Sequence, residues 1–107
     1  MNFPTNRNVT LLQTRGVTAM ELPEVTTDML FRIALDRYMA DPYDYLTVAH
    51  AAEGDSFDIT NGNGELIATE SAFLYPGIYE DVWLIVDDYG PNSKEGLVVT
   101  ILLPEEY

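Results

Sequence analysis

The chain has 107 residues, no cysteine, and eighteen acidic against five basic side chains, which gives a formal net charge of −13. This length predicts a single domain over residues 1–107, and the lack of cysteine excludes a disulfide framework, a thiol nucleophile and a thiolate metal site. No apolar stretch approaches the ~20 residues of a membrane helix and no secretory signal opens the chain, so we expect a cytoplasmic protein that does not enter a membrane.

The opening of the chain predicts one or two short strands. Val9, Leu11 and Gln13 alternate with Thr10, Leu12 and Thr14, which predicts one short strand. Arg15-Gly16 then predicts a turn, and Val17–Leu22 predicts a second short strand, which Pro23 ends. We therefore expect a small β unit before the first long helix.

A long amphipathic helix is predicted next. Thr26 or Thr27 can serve as its N-cap, and it ends at Ala40, because Pro42 disfavours helical geometry at Asp41. Apolar residues recur along it at helical spacing, which predicts a face turned toward the core. The residues of this face are Met29, Leu30, Phe31, Ile33, Ala34, Leu35 and Tyr38.

A second helix is predicted over residues 41–53. Its first residue is a good N-cap, Pro42 suits the first helical position, and Asp44 is the acid three positions after the cap. Gly54 provides a left-handed stop. The alternative is a strand through Tyr45–Ala49, and the agreement of the cap, the proline and the glycine favours the helix.

The remaining chain predicts four strands. Phe57–Thr60 and Glu65–Thr69 alternate with period two, and Asn61–Gly64 between them is a strong hairpin turn. Val82–Val86 and Leu97–Leu103 are apolar on both faces, which predicts two strands in the middle of a sheet. The order of elements favours an α+β fold, with two consecutive helices packed on one face of a mainly antiparallel sheet of four to six strands.

The net negative charge is confined to the second part of the chain. Residues 1–37 hold four acids and four bases, whereas residues 38–107 hold fourteen acids and one base, Lys94. A field of a single sign is typical of electrostatic steering or binding. The alternative is a generic acidic surface that only keeps the protein in solution. In either case the charge disfavours direct binding to nucleic acid and to acidic membranes.

Catalytic and metal signatures are weak. His50 is the only histidine, and a catalytic role would pair it with Asp44, Glu53 or a tyrosine. The pattern around it favours a surface or half-buried side chain instead. Zinc would need three or four ligands, and no window has the EF-hand spacing for calcium. We therefore predict a protein that is not an enzyme, with no metal and no cofactor.

The combination of small size, acidity and tyrosines predicts a binding protein. All seven tyrosines lie in the acidic part, and tyrosine with carboxylates suits an interface that faces arginine and lysine. The favoured hypothesis is an acidic protein that blocks a basic, nucleic-acid-binding surface on a partner by phosphate mimicry. A phage-encoded inhibitor of a host defence nuclease, such as a CRISPR effector, fits this description and would act in the host cytoplasm.

Two alternatives remain open. One is an immunity protein or antitoxin that caps a basic toxin nuclease. The other is a small structural or assembly protein that contacts its partners through a sheet edge. The sequence does not choose between a monomer and a small homo-oligomer.

The predicted contact residues are acids and tyrosines near predicted strand and helix ends. The pairs Glu80-Asp81 and Asp87-Asp88 bracket one strand and lie seven positions apart, which corresponds to ~23 Å, or several phosphates along a nucleic-acid strand. The full set comprises Asp41, Tyr43, Asp44, Glu53, Asp55, Asp58, Tyr79, Glu80, Asp81, Asp87 and Asp88.

Overall fold

A six-stranded sheet with helices on one face forms the body of the protein. The computed structural model describes residues 7–107. In chain order its elements are β1 (Val9–Gln13), α1 (Arg15–Ala19), α2 (Glu24–Ala40), β2 (Leu46–Ala49), β3 (Ser56–Asn61), β4 (Leu66–Ser71), β5 (Val82–Asp88), β6 (Leu97–Leu102) and a 3₁₀ turn (Pro104–Glu106). The predicted α+β class is confirmed.

The strands lie in the order β1-β6-β5-β2-β3-β4. The pairing of β1 with β6 is parallel, and the other four pairings are antiparallel. Strands β5 and β6, which correspond to the two apolar runs, occupy internal positions as predicted. The edges of the sheet are β1 and β4.

The hydrophobic core lies between the sheet and the helices. The apolar face of α2 buries Leu30, Phe31, Ala34 and Leu35, as its spacing predicts. The single turn of α1 adds Val17 to the same core cluster. From β5 and β6 the core receives alternate residues, which are Val82, Leu84, Val86, Leu97, Val99 and Ile101. Neither helix in residues 7–107 is long and apolar enough to cross a bilayer.

The β3–β4 hairpin forms where the Asn-Gly sequence predicts it. The side-chain oxygen of Asn61 accepts hydrogen bonds from the backbone N–H groups of Asn63 and Glu65, each at 2.9 Å. These bonds satisfy the donors of the turn locally, so the turn is fixed by its own sequence.

The prediction of a second short strand over Val17–Leu22 is wrong. Residues 15–19 form the helical turn α1, because the hydroxyl of Thr14 caps it by accepting from Val17 N. Glu106 accepts from Gly16 N and from the Thr14 hydroxyl. These bonds, the Thr14 bond foremost, hold the pKa of the Glu106 carboxyl below its usual range. The C-terminal turn thus fixes α1, a contact that local sequence cannot show.

The predicted start of the long helix is wrong by three to four residues, because the N-cap is Pro23 rather than Thr26 or Thr27. Helix α2 begins at Glu24, directly after Pro23, and neither Thr26 nor Thr27 caps it. Both threonines are buried, and the Thr26 hydroxyl donates to the carbonyl of Pro76 at 2.8 Å. A tertiary hydrogen bond therefore uses the side chain that the sequence offers as a cap.

The predicted helix over residues 41–53 is also wrong, and the alternative strand is present as β2. The Asp41 carboxylate does accept from Tyr43 N at 3.0 Å, but this bond closes an isolated turn. Strand β2 then inserts between β5 and β3 and pairs with both of them. Two ladders of sheet hydrogen bonds outweigh a capping signal of ~1 kcal/mol.

Two glycines with the same left-handed backbone allow a test of the β1–β6 contact. Gly54 has φ +63° and Gly96 has φ +64°, so alanine costs ~1 kcal/mol of conformational strain at either one. A Cβ atom at Gly54 meets open space, whereas at Gly96 it would overlap the carbonyl of Asn8. That carbonyl accepts from Leu97 N, where β6 begins.

We expect Gly96→Ala to lower the free energy of unfolding by roughly 2 kcal/mol more than Gly54→Ala, because only Gly96→Ala must displace β1. Urea denaturation of both variants measures the difference. Equal losses would contradict the described contact between Asn8 and the start of β6.

Candidate functional site

The alternation of β5 distributes its side chains over two environments. Val82, Leu84 and Val86 point into the core below the helices. Trp83 and Ile85 therefore lie on the opposite face, where both stay partly exposed. Asp81, directly before β5, and Asp87, near its end, are an even number of residues from Trp83 and Ile85 and therefore lie on the same face. The two carboxylates lie at the two ends of this pair of apolar side chains. One strand thus presents an apolar centre between two carboxylates.

Cross-strand pairs extend this apolar centre over three strands. Trp83 pairs with Val48 of β2 on one side and with Leu102 of β6 on the other. Neither described helix packs on this side of the sheet, since both helices belong to the core cluster on the other side. We call this surface the open face. Its partly exposed apolar residues are Leu46, Trp83 and Ile85, and its buried ones are Val48, Val98 and Leu102. Thr100 lies beside Ile85 on the same face.

The structure separates the predicted contact residues into two groups at opposite ends of the β5–β2 pair. The first group, the His50 end, lies where β5 begins and β2 ends. Asp81 accepts from Ala51 N at 2.7 Å, and Asp58 is placed there because its carbonyl accepts from His50 N. Its members are Glu53, Asp55, Asp58, Tyr79, Glu80 and Asp81.

The second group, the Tyr43 end, lies where β5 ends and β2 begins. The carbonyl of Tyr45 accepts from Val86 N at 3.0 Å, which brings the segment before β2 beside the end of β5. The members of this group are Asp41, Tyr43, Asp44, Asp87 and Asp88. Tyr43 is 91% exposed, so its ring is available to a partner.

A cleft of about 340 Å³ lies at the His50 end. His50 Nε2 is 2.8 Å from the Thr60 hydroxyl, and its Nδ1 is 3.6 Å from an Asp81 oxygen. The Asp81 carboxylate, the His50 imidazole and the Thr60 hydroxyl thus follow one another in space, in the order of the groups of a nucleophilic triad. Thr60 is only 8% exposed and sits within a strand, which leaves little access to its oxygen. Structurally, the arrangement ties the end of β2 to β3 and β5.

A second cleft of about 200 Å³ lies at the Tyr43 end. Tyr43, Asp44 and Tyr45 line one part of it, and Gly62 and Asn63 of the β3–β4 turn line another. Each end of the β5–β2 pair therefore has a cleft beside carboxylates. A cleft of this kind can receive a single extended side chain of opposite charge.

Two of the predicted contact carboxylates pair with arginine side chains of the protein itself. Asp44 pairs with Arg37 at 3.0 Å. Asp88 accepts a hydrogen bond from Arg7 at 2.9 Å, and it also bonds to Gly90 N and the Tyr38 hydroxyl. The Arg7 guanidinium, followed by the Gly90 N–H, holds the pKa of Asp88 well below its usual range. Asp88 therefore contributes to the fold as well as to the charge of the Tyr43 end.

Other predicted contacts lie exposed on the surface. Glu53, Asp55, Glu80 and Asp87 are exposed, and Tyr79 is 81% exposed. Among residues 7–107, no group of three or more histidine, cysteine or acidic side chains is arranged to hold a metal ion. Carboxylates that are free of internal partners keep their charge available to an incoming group.

The open face is the part of the site that the sequence prediction missed. The apolar run Val82–Val86 predicts a strand in the middle of the sheet, but it does not show which of its residues face away from the helices. The predicted placement of both helices on one face of the sheet is the signal that points to it.

No protein-family model, curated protein sequence or solved structure matches this chain. The two acidic ends, their clefts and the open face between them are the features of the chain that bear on its function.

Neighbouring aspartates allow the role of the Arg7–Asp88 contact to be measured. Asp88→Asn and Asp87→Asn each remove one negative charge, but only Asp88 has the Arg7 partner. We expect Asp88→Asn to be less stable than Asp87→Asn at pH 7. Because the pKa of folded Asp88 is depressed, its contribution is complete above the ordinary carboxyl pKa of about 4 and declines as pH falls below it.

The difference between the two variants should therefore shrink between pH 5 and pH 2, roughly the range over which an unfolded carboxylate is protonated. Urea denaturation at several pH values measures it. A difference that stays constant over this range would show that the ionised form of Asp88 does not stabilise the fold.

Proposed function

We propose that this chain is an acidic binding protein that occupies a basic, nucleic-acid-binding surface of a partner protein. Its carboxylates take the place of phosphates, and the excess charge steers the encounter. The charge supports this proposal, because fourteen of the eighteen acids follow Arg37 with only one base among them. Part of that charge lies at the two ends of the β5–β2 pair.

The observation that carries the proposal is the shared parity of Asp81 and Asp87. Both lie on the open side of β5, six residues apart, and therefore ~20 Å from each other. Successive phosphates of a B-form strand rise ~3.4 Å, so this span corresponds to about six nucleotides. A basic groove that follows a nucleic-acid backbone over such a length offers cations to both ends at once.

A nuclease is the partner class that best combines a basic groove with a need for control. A phage-encoded inhibitor of a host defence nuclease, with a CRISPR effector as one example, is the form of the proposal that we favour. An immunity protein that caps a toxin nuclease would use the same electrostatics. Both forms require that the chain and the nucleic acid compete for one surface.

Competition with nucleic acid tests the proposal directly. Partners are captured from a bacterial lysate on the immobilised full chain at low salt, eluted with salt, and loaded with fluorescently labelled DNA or RNA. We expect the chain to displace the label and its affinity to fall at least tenfold between about 50 and about 200 mM salt. A ternary complex with nucleic acid, or binding that salt does not weaken, would contradict phosphate mimicry.

Paired neutral variants separate the acidic ends from the overall charge. Glu80→Gln with Asp87→Asn removes one exposed carboxylate from each end, whereas Glu24→Gln with Asp36→Asn removes two exposed carboxylates from α2. We expect the first pair to weaken binding of the captured partner about tenfold and the α2 pair less than about twofold. Equal losses, measured by titration calorimetry, would show that only net charge matters.

A further inference from the structure

The open face carries the chain's single tryptophan in a partly exposed position. The Tyr107 ring lies against it, with 5.6 Å between the ring centroids, and Tyr107 itself is 81% exposed. A partly exposed tryptophan beside an exposed tyrosine is typical of the anchors of protein interfaces. A partner that covers the exposed parts of Trp83, Ile85 and Tyr107 would remove this remaining apolar area from water.

The hydrogen bonding of the sheet determines what shape of partner fits. Strand β5 is paired on both sides, by β6 and by β2, so the backbone of β5 offers no free edge at the open face. A partner strand cannot add to the sheet there, and contact must be made through side chains. On the opposite face of the same strands, a helix, α2, already packs through its side chains. A helix on the open face would complete a three-layer arrangement.

The charges at the rim determine what chemistry the partner carries. Asp87 stands in register with Val98, at the border of the open face, and Asp81 lies at the opposite border. Any occupant partly removes these carboxylates from water, which is costly unless cations accompany it. A second copy of this chain would bring its own aspartates and a net charge of −13 to the interface. The rim therefore favours lysine or arginine.

We infer that the open face docks a basic amphipathic helix of the partner. The apolar side of that helix packs on Trp83 and Ile85, and its lysine or arginine residues reach Asp81 and Asp87. A helix that spans the ~20 Å between these aspartates has about thirteen residues. The inference rests on the proposed function for the basic character of the occupant, and it adds the shape of the occupant and the surface that holds it.

The emission of Trp83 reports on this face directly, because no other tryptophan is present. The probe is a synthetic helix with leucines on one side and lysines on the other. The controls are a scrambled peptide of the same composition, an oligolysine, and a leucine-glutamate helix of the same pattern. We expect the leucine-lysine helix to shift the emission to shorter wavelength in a saturable titration. The scrambled peptide should bind at least tenfold more weakly, and the leucine-glutamate helix should not bind.

The controls distinguish a failure of the docking face from a failure of the proposed function. Oligolysine that binds by calorimetry as tightly as the leucine-lysine helix, with Trp83 emission unchanged by either, would overturn the docking face and leave the acidic-binding proposal standing. Equal binding of the leucine-glutamate helix would overturn the requirement for a basic occupant. An emission shift that follows protein concentration without peptide, together with a dimer in sedimentation, would assign the face to a second copy and overturn the inference.

A matched pair of substitutions locates the contact. Ile85→Thr keeps a β-branched side chain in the strand but removes apolar area from the open face. Val25→Thr makes a similar change on α2, where the valine is 51% exposed. We expect Ile85→Thr to weaken the leucine-lysine helix about fivefold and Val25→Thr to leave its affinity unchanged. Equal affinities of the two variants, with the emission shift retained, would show that the helix does not pack on Ile85.

Discussion

The two-residue period of β5 is the constraint on which the rest of the structure depends. Paired by β6 and β2 on its two sides, the strand uses its backbone groups within the sheet, so only its side chains can act. Alternate residues fill the core below α2, which commits Trp83 and Ile85 to the other face. The same alternation places Asp81 and Asp87 beside them. A one-residue shift in register would exchange the core for the acidic face, so fold and candidate site are fixed together.

The parts of the fold that the sequence predicts correctly are those where local signals and tertiary pairing agree. Asn61 closes its own turn, and the apolar run that forms β5 suits only an internal strand. The segment 41–53 shows the opposite case. Its capping signal is real, since Asp41 accepts from Tyr43 N, but the following Thr47 and Val48 fit between two strands. Pairing with distant strands decided that this segment is a strand, and no local sequence pattern shows that pairing.

The candidate site could be predicted only in part for a similar reason. Acids at strand ends are visible in the sequence, and the structure brings them to two ends of one strand pair. Their internal use is not visible, because Asp88 meets Arg7 from 81 positions away and Asp81 meets Ala51 from 30 positions away. The open face was missed because the apolar residues of β5 say nothing about how many helices are present to cover them.

Charge and apolar surface support each other in this molecule. A net charge of −13 repels other copies of the chain, and the acids at both ends of the open face extend that repulsion to the surface most prone to association. Trp83 can therefore stay partly exposed without bringing two copies together. A partner of opposite charge meets no such barrier, since the same carboxylates attract it. Under the proposed function, the acidity that costs stability through self-repulsion selects which proteins can reach the apolar centre.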